Sequence, residues 1–152
     1  MKPIFTVSAC LLGQRCRWDG QFLPREKQLK SLPGMIPICP EQLGGLEIPR
    51  EPAQIIGGNG YDVLNDQARV ITSSGVDVTG QFIKGAREAL KIVRLSKVKI
   101  VVLKERSPSC GVHYIYHGKN LVPGMGVTCA LLMSEGFEVL SSEEIDKPQC
   151  MI

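Results

Sequence analysis

The sequence predicts a single α/β domain over residues 1–152, Rossmann-like and three-layered, with a mostly parallel sheet and small hairpin excursions. Three observations predict it. Short apolar runs at Ile4–Val7, Met35–Ile38, Ile100–Leu103 and Phe137–Leu140 have the length of strands buried on both faces. Segments of helical periodicity precede the third and fourth runs, as crossovers between parallel strands require. At 152 residues, with 43% hydrophobic and 22% charged residues, the chain suits one ordinary globular domain.

Taken in order, the first strand runs into Ser8-Ala9-Cys10-Leu11-Leu12-Gly13. Residues 14–34 are polar and broken by Pro24, Pro33 and Gly34, which predicts a loop with a short helix around Arg25–Ser31. Pro37 removes a ladder donor, so the second strand is short or at an edge. It runs into Cys39-Pro40-Glu41-Gln42-Leu43-Gly44-Gly45. Gly44–Pro52 is too rich in Gly and Pro for regular structure, and Gly57-Gly58-Asn59-Gly60 signals a turn. Asp62–Leu64 and Arg69–Thr72 read as a small hairpin about Asn65-Asp66.

The clearest helix follows, with Thr79 as N-cap. Phe82, Ile83, Ala86, Leu90 and Val93 recur at helical spacing, with Lys84, Arg87, Lys91 and Arg94 mostly outward. The Ile100 strand then ends in Lys104-Glu105-Arg106 and the loop Ser107-Pro108-Ser109-Cys110-Gly111, where Gly111 lets the backbone pass close to whatever Cys110 holds. Val112–Tyr116 and Leu121–Val122, joined by His117-Gly118-Lys119-Asn120, read as a second hairpin. Pro123-Gly124-Met125-Gly126 opens a last helix, Val127–Glu135, closed by Gly136 before the final strand.

Composition narrows the function. A net charge of +3 with no block of Lys or Arg lacks the dense basic stripe of a nucleic-acid binder. One Trp, three Tyr and four Phe do not supply a stacking platform for single strands. No apolar run approaches the roughly 20 residues of a membrane span, and no signal-peptide pattern is seen, so a cytoplasmic protein is expected. In a reducing compartment the six cysteines are expected as free thiols, metal ligands or catalytic groups.

Cys10, Cys39 and Cys110 each fall just past a predicted strand, where ligands of open α/β sheets bind. Parallel neighbouring strands would bring the three thiols together. Three thiolates suit zinc with an open fourth position, or an iron–sulfur cluster one protein ligand short. Spacing alone does not choose, although a cluster spreads its ligands and suits three separate loops. Cys16 reads as an incidental loop thiol, Cys129 as core and Cys150 as a bystander in a polar tail. His113 and His117 read as solvent-facing hairpin residues. Gly124–Thr128 has the pattern of an anion-binding helix entry, which helix formation alone also explains. Arg17 and Arg50 are open to either reading, structural ion pair or substrate contact.

Ser8–Gly13 followed by Cys16-Arg17-Trp18-Asp19-Gly20 resembles the opening of a bacterial family long catalogued as a domain of unknown function, whose members include thiouracil desulfurases. Cys39–Leu46, Pro49-Arg50, Ser107–Gly111 and Gly124–Thr128 resemble its other motifs, so the likeness covers nearly the whole chain. Trp18 stands for a more usual Tyr, and Ile48 for a more usual Thr. The resemblance implies a 4Fe–4S cluster on Cys10, Cys39 and Cys110 with one iron open, Glu41 as catalytic carboxylate and Ser107 as catalytic serine. Ser8, Arg50 and Ser109 would contact a small thiolated pyrimidine such as 2-thiouracil. The expected reaction is non-redox desulfuration, releasing sulfide and the oxo base. The competing reading is a non-enzymatic metal- or cluster-binding module, which would have no need of Glu41 and Ser107 beside its ligands. A desulfidase acting on another small thioamide is the third reading.

Overall fold

The computed structural model describes residues 5–30 and 33–145. Among these residues the strands are β1 (Phe5–Ser8), β2 (Met35–Ile38), β3 (Ala53–Ile56), β4 (Arg69–Thr72), β5 (Ile100–Leu103), β6 (Tyr114–His117), β7 (Asn120–Pro123) and β8 (Glu138–Ser141). The α-helices are α1 (Pro40–Leu43), α2 (Gly60–Leu64), α3 (Thr79–Ser96) and α4 (Val127–Ser134). The central sheet has four parallel strands in the order β2-β1-β5-β8, the predicted four within about a residue. β2 is an edge strand, as Pro37 requires.

The two faces of this sheet are covered differently. On one, Val101 and Leu103 of β5 pack with Ala89, Leu90 and Val93 of α3 and with Cys129 and Leu132 of α4. On the other, Phe5, Val7 and Val102 pack under Leu11, Cys16 and Leu23. That second layer is the long segment after β1, which contains only short 3₁₀ turns at Ala9–Leu12 and Arg25–Lys27. The predicted helix near residues 25–31 is thus a single 3₁₀ turn, and its last residue, Ser31, lies outside the described residues.

One predicted hairpin is corrected. Residues 60–64 form α2, not a strand, because Asn59 and Asp62 make a capping box. Asn59 Oδ1 accepts from the Tyr61 amide at 2.9 Å, and Asp62 Oδ2 accepts from the Asn59 amide at 2.8 Å. β4 pairs instead with β3, whose Ile55 is buried with Val63, Val70 and Phe82 in a third core cluster. The other hairpin is present but shifted to β6 and β7, with Gly118 at φ 65° in its turn. Thr79 does not cap α3 with its side chain. Its hydroxyl accepts from the Val70 amide at 2.8 Å, and Asp77 Oδ1 accepts the Thr79 amide at 2.9 Å.

Candidate active site

The carboxyl ends of β2, β1 and β5 face a cleft of about 1410 Å³ lined by Ser8, Cys10, Cys16, Cys39, Glu41, Arg50, Ser107, Ser109 and Cys110. Parallel pairing of β1 with both neighbours explains the convergence, because it places all three strand-end loops on one edge. Cys10 leads from β1 into a 3₁₀ turn, Cys39 precedes α1, and Cys110 closes the loop after β5. All five described cysteines are free.

The thiols act on one another. Burial pushes Cys110 up to about 12. Hydrogen bonding to Cys10 and burial push Cys16 up to about 11, against a lowering bond to Cys39. Cys39 is also pushed up, first by the Cys16 thiol and then by burial. Cys16, which the sequence presents as an incidental thiol, is therefore drawn into the group: it is 5% exposed, it lines the cleft with Cys10 and Cys39, and its carbonyl lies 3.8 Å from Cys39 Sγ. Cys129 stays apart in α4, fully buried, with burial pushing it up to about 12. Cys150 lies outside the described residues.

Glu41 is oriented at both oxygens. Arg50 holds Oε2 through Nε at 2.9 Å and through Nη2. The same guanidinium donates to the carbonyls of Cys16 at 2.9 Å and Glu47 at 3.1 Å, so Arg50 is an anchor of this loop as well as an ion-pair partner. Arg17 pairs with Asp19 at 3.1 Å. On the other side, Glu41 Oε1 lies 3.1 Å from the Ser109 hydroxyl and 3.5 Å from that of Ser107.

The two serines differ. Ser107 Oγ accepts the amides of Ser109 at 3.0 Å and Cys110 at 2.9 Å, and lies 3.2 Å from Ser109 Oγ. Ser109 is 2% exposed and its hydroxyl also approaches Cys110 Sγ at 3.4 Å. Ser107 is thus the internal pivot of the loop, and Ser109 stands between Glu41 and a thiol. Ser8 Oγ accepts the Lys104 amide at 2.9 Å, which ties the end of β1 to the residue after β5.

That loop is gripped from two directions. The first amides of α4 are spent on it: Gly126, Val127 and Thr128 donate to the carbonyls of Gly111, Pro108 and Ser109 at 2.8, 2.9 and 2.9 Å. This helix entry therefore serves the loop rather than an anion. From the inside, the carboxylate of Glu105, 2% exposed, accepts the amides of Val112, His113 and Tyr114 at 2.7, 2.9 and 3.1 Å. The absent Cβ of Gly111 would meet Ser107 O at 2.8 Å and Tyr114 O at 2.7 Å, so glycine there lets the loop close on itself.

Sequence reasoning missed Glu105 because Lys104-Glu105-Arg106 looks like an ordinary solvated run. Lys104 is also half-buried against the cleft, and burial holds its ammonium below its usual range. Trp18 and Tyr116 line the cleft with partly exposed rings. His113 is paired with Glu144 at 2.7 Å on the surface.

Residues 5–144 match the family model described as 2-thiouracil desulfurase. The chain is 44% identical over 145 residues to "Uncharacterized protein YbbK" of Bacillus subtilis (strain 168), covering 92% of this chain and 96% of that one. Among solved structures it is similar to the [4Fe-4S]-dependent thiouracil desulfidase TudS, with a TM-score of 0.80 and 36% identity over 98% of this chain and 97% of that one. By the extent of these matches, the chain belongs to the 2-thiouracil desulfurase family.

Proposed function

We propose that this protein is a 4Fe–4S-dependent desulfidase that hydrolyses the thiocarbonyl of a thiolated pyrimidine such as 2-thiouracil. The observation that carries the reading is a doubly anchored carboxylate, Glu41, in the same cleft as three strand-end cysteines. The donor set fits the cluster. Cys10, Cys39 and Cys110 are soft ligands on three separate loops. A cluster spreads its ligands and so suits three separate loops. These three cysteines would hold it.

When bound, the cluster supplies a soft Lewis acid for the thiocarbonyl sulfur, so that the attached carbon becomes more electrophilic. Glu41 takes a proton from the attacking water, and the Arg50 guanidinium keeps the carboxylate turned into the cleft. A hydrogen-bond chain from Ser107 to Ser109 to Glu41 has each hydroxyl donate once, and it fixes which carboxylate oxygen faces the water. Ser109, nearer to Glu41 than Ser107, takes the direct role. Trp18 and Tyr116 supply flat apolar surface for the ring. In the balance, the C=S bond and one water become C=O and hydrogen sulfide, with no net electron transfer. Arg50 and Ser8 shape the cleft, and the substrate is a free small molecule.

The test is anaerobic reconstitution with iron and sulfide measured per chain, followed by sulfide release from 2-thiouracil and 4-thiouracil. Stoichiometric release with the matching uracil as product is expected. A fully loaded protein that releases no sulfide from either overturns the reading.

A further inference from the structure

We infer that Glu105 is a positioning residue that sets the reactive geometry of the Ser107–Cys110 loop from beneath. It lies outside the cluster of thiols and carboxylate assigned above, and the inference rests on that assignment for what the loop does. Three features of the fold carry it.

The first is the number of donors gathered on one oxygen. Besides the three amides of Val112, His113 and Tyr114, Oε1 accepts the amide of Arg106 at 3.3 Å. The donors come from the two ends of the loop, residue 106 before Ser107 and residues 112–114 after Cys110. One buried carboxylate therefore closes a ring of backbone whose rim presents Ser107, Ser109 and Cys110. An uncharged carbonyl in the same place would hold these donors more weakly, because hydrogen bonds to an ionised carboxylate oxygen are shorter and stronger.

The second is the state of the carboxyl. Burial pushes it upward, but the Ser141 hydroxyl and the amides of Tyr114, His113 and Val112 outweigh burial and hold it below its usual range. It is a buried anion whose charge is met by the Ser141 hydroxyl and by backbone amides. Lys104, the residue before it, turns its ammonium to the Glu105 carbonyl at 3.2 Å rather than to the carboxylate.

The third is the backbone it holds. Arg106 has φ 74°, a left-handed conformation that non-glycine residues rarely adopt. Its amide is among those bonded to Glu105, and its side chain is tied to Glu143 at 2.9 Å. The unfavourable turn aims Ser107 into the cleft, and the Glu105 ring holds that turn. Ordinary core packing has no need of a charged residue here: the neighbouring strand end is Val101, Val102 and Leu103, all fully buried.

The experiment compares Glu105→Gln and, as a gentler lesion at the same carboxylate, Ser141→Ala, each alone and with Ser109→Ala. Amide hydrogen exchange is read first. Exchange at residues 106 and 112–114 is expected to rise about tenfold to a hundredfold, as loss of charge-assisted bonds implies. The sheet amides of β1 and β5 should keep wild-type protection. In the reconstituted protein, iron should pass faster to a chelator. The kcat should fall by up to about a hundredfold with KM little changed. In the Ser109→Ala background the further loss should be smaller than in the wild type, since part of the effect of Glu105 passes through that serine. A uniform rise in exchange over the whole chain would make Glu105 a residue of global stability and overturn the inference, as would wild-type exchange at 106–114 in both variants. The exchange measurement needs no desulfuration, so failure of the functional assignment is read separately from failure of this one. Should Glu105→Gln not fold, selective exchange in Ser141→Ala supports the inference, and its absence overturns it.

Discussion

Ser109 and Glu41 are 68 residues apart in the chain, yet the serine hydroxyl donates to Glu41 Oε1 at 3.1 Å. The contact joins the loop after β5 to the first turn of α1, and so joins the segments carrying Cys110 and Cys39. Arg50 completes it by holding the opposite carboxylate oxygen. The carboxylate is fixed from two sides before any substrate arrives, which is the condition for an oriented base.

Glu41→Gln keeps the side-chain shape and removes the base. Sulfide release per cluster should fall by about 10²–10⁴-fold, the usual worth of a general acid–base group. Iron content and visible absorption should remain those of the wild type. Undiminished turnover at full loading would remove Glu41 from the mechanism.

The two serines should separate. Ser109→Ala removes the donor to Glu41, with an expected loss of about 10²-fold in kcat from misorientation and little change in melting temperature. Ser107→Ala strips the acceptor from the amides of Ser109 and Cys110, costing about 1–3 kcal/mol of stability for the donors left unpaired. Thermal melts beside kcat would reverse the assignment if Ser107→Ala were the purely kinetic lesion.

Cys10→Ala, Cys39→Ala and Cys110→Ala should each lower iron and sulfide content after anaerobic reconstitution, while Cys16→Ser keeps it. Cys16 is the decisive one, because it lines the same cleft as the three. Loss of iron in Cys16→Ser would make it a fourth ligand and leave no iron open to substrate.

The sheet was legible because its strands are short and largely apolar, with the central pair β1 and β5 buried, and the cysteine loops were legible because they follow such strands. The partner of β4 was not, since Ala53–Ile56 lies between Pro52 and a Gly-rich turn, and Gln54 interrupts its apolar run. α2 was hidden by its length of five residues, below the reach of periodicity, although Asn59 and Asp62 carry the capping signal. Glu105 was invisible for a different reason. Burial of a charge depends on where distant amides end up, here those of residues 112–114, and no local pattern encodes that. The burial of Cys16 was hidden for the same cause: a polar loop in sequence folds over the sheet and becomes its second covering layer.

Acid stability should carry the signature of Asp77. The Thr79 hydroxyl and amide hold this carboxyl down to about 2, with Arg69 assisting. A lowered folded-state pKa means stability that is fully present above the unfolded value near 3.8 and is lost as pH falls through about 2. Asp77→Asn should therefore melt below the wild type at pH 6, with the gap closing between pH 4 and pH 2. A gap of constant size over that window would show that Asp77 acts through shape and not through charge.

The contact between α1 and α3 supplies the last test, because it links stability to the site. A Cβ on Gly85 would lie 1.9 Å from the Pro40 carbonyl oxygen, and one on Gly44 would lie 2.0 Å from that of Gln81. The two backbones touch through two missing side chains, and α1 is the element that follows Cys39 and begins Pro40-Glu41. Gly85→Ala must push α1 away from α3, and overpacking of this kind costs about 1–3 kcal/mol. For a chain of this size the melting temperature should fall by about 2–12 °C. Glu41 and Cys39 move with α1, so kcat should fall as well, even in protein loaded with iron at a temperature where it is fully folded. Gly80→Ala is the control within the same helix. Nothing lies within 4 Å of its Cβ position, so the substitution should leave kcat unchanged and raise stability by about 0.4–1 kcal/mol. Equal effects of the two substitutions on stability and rate would mean that helix propensity, and not the α1–α3 contact, governs the position of Glu41.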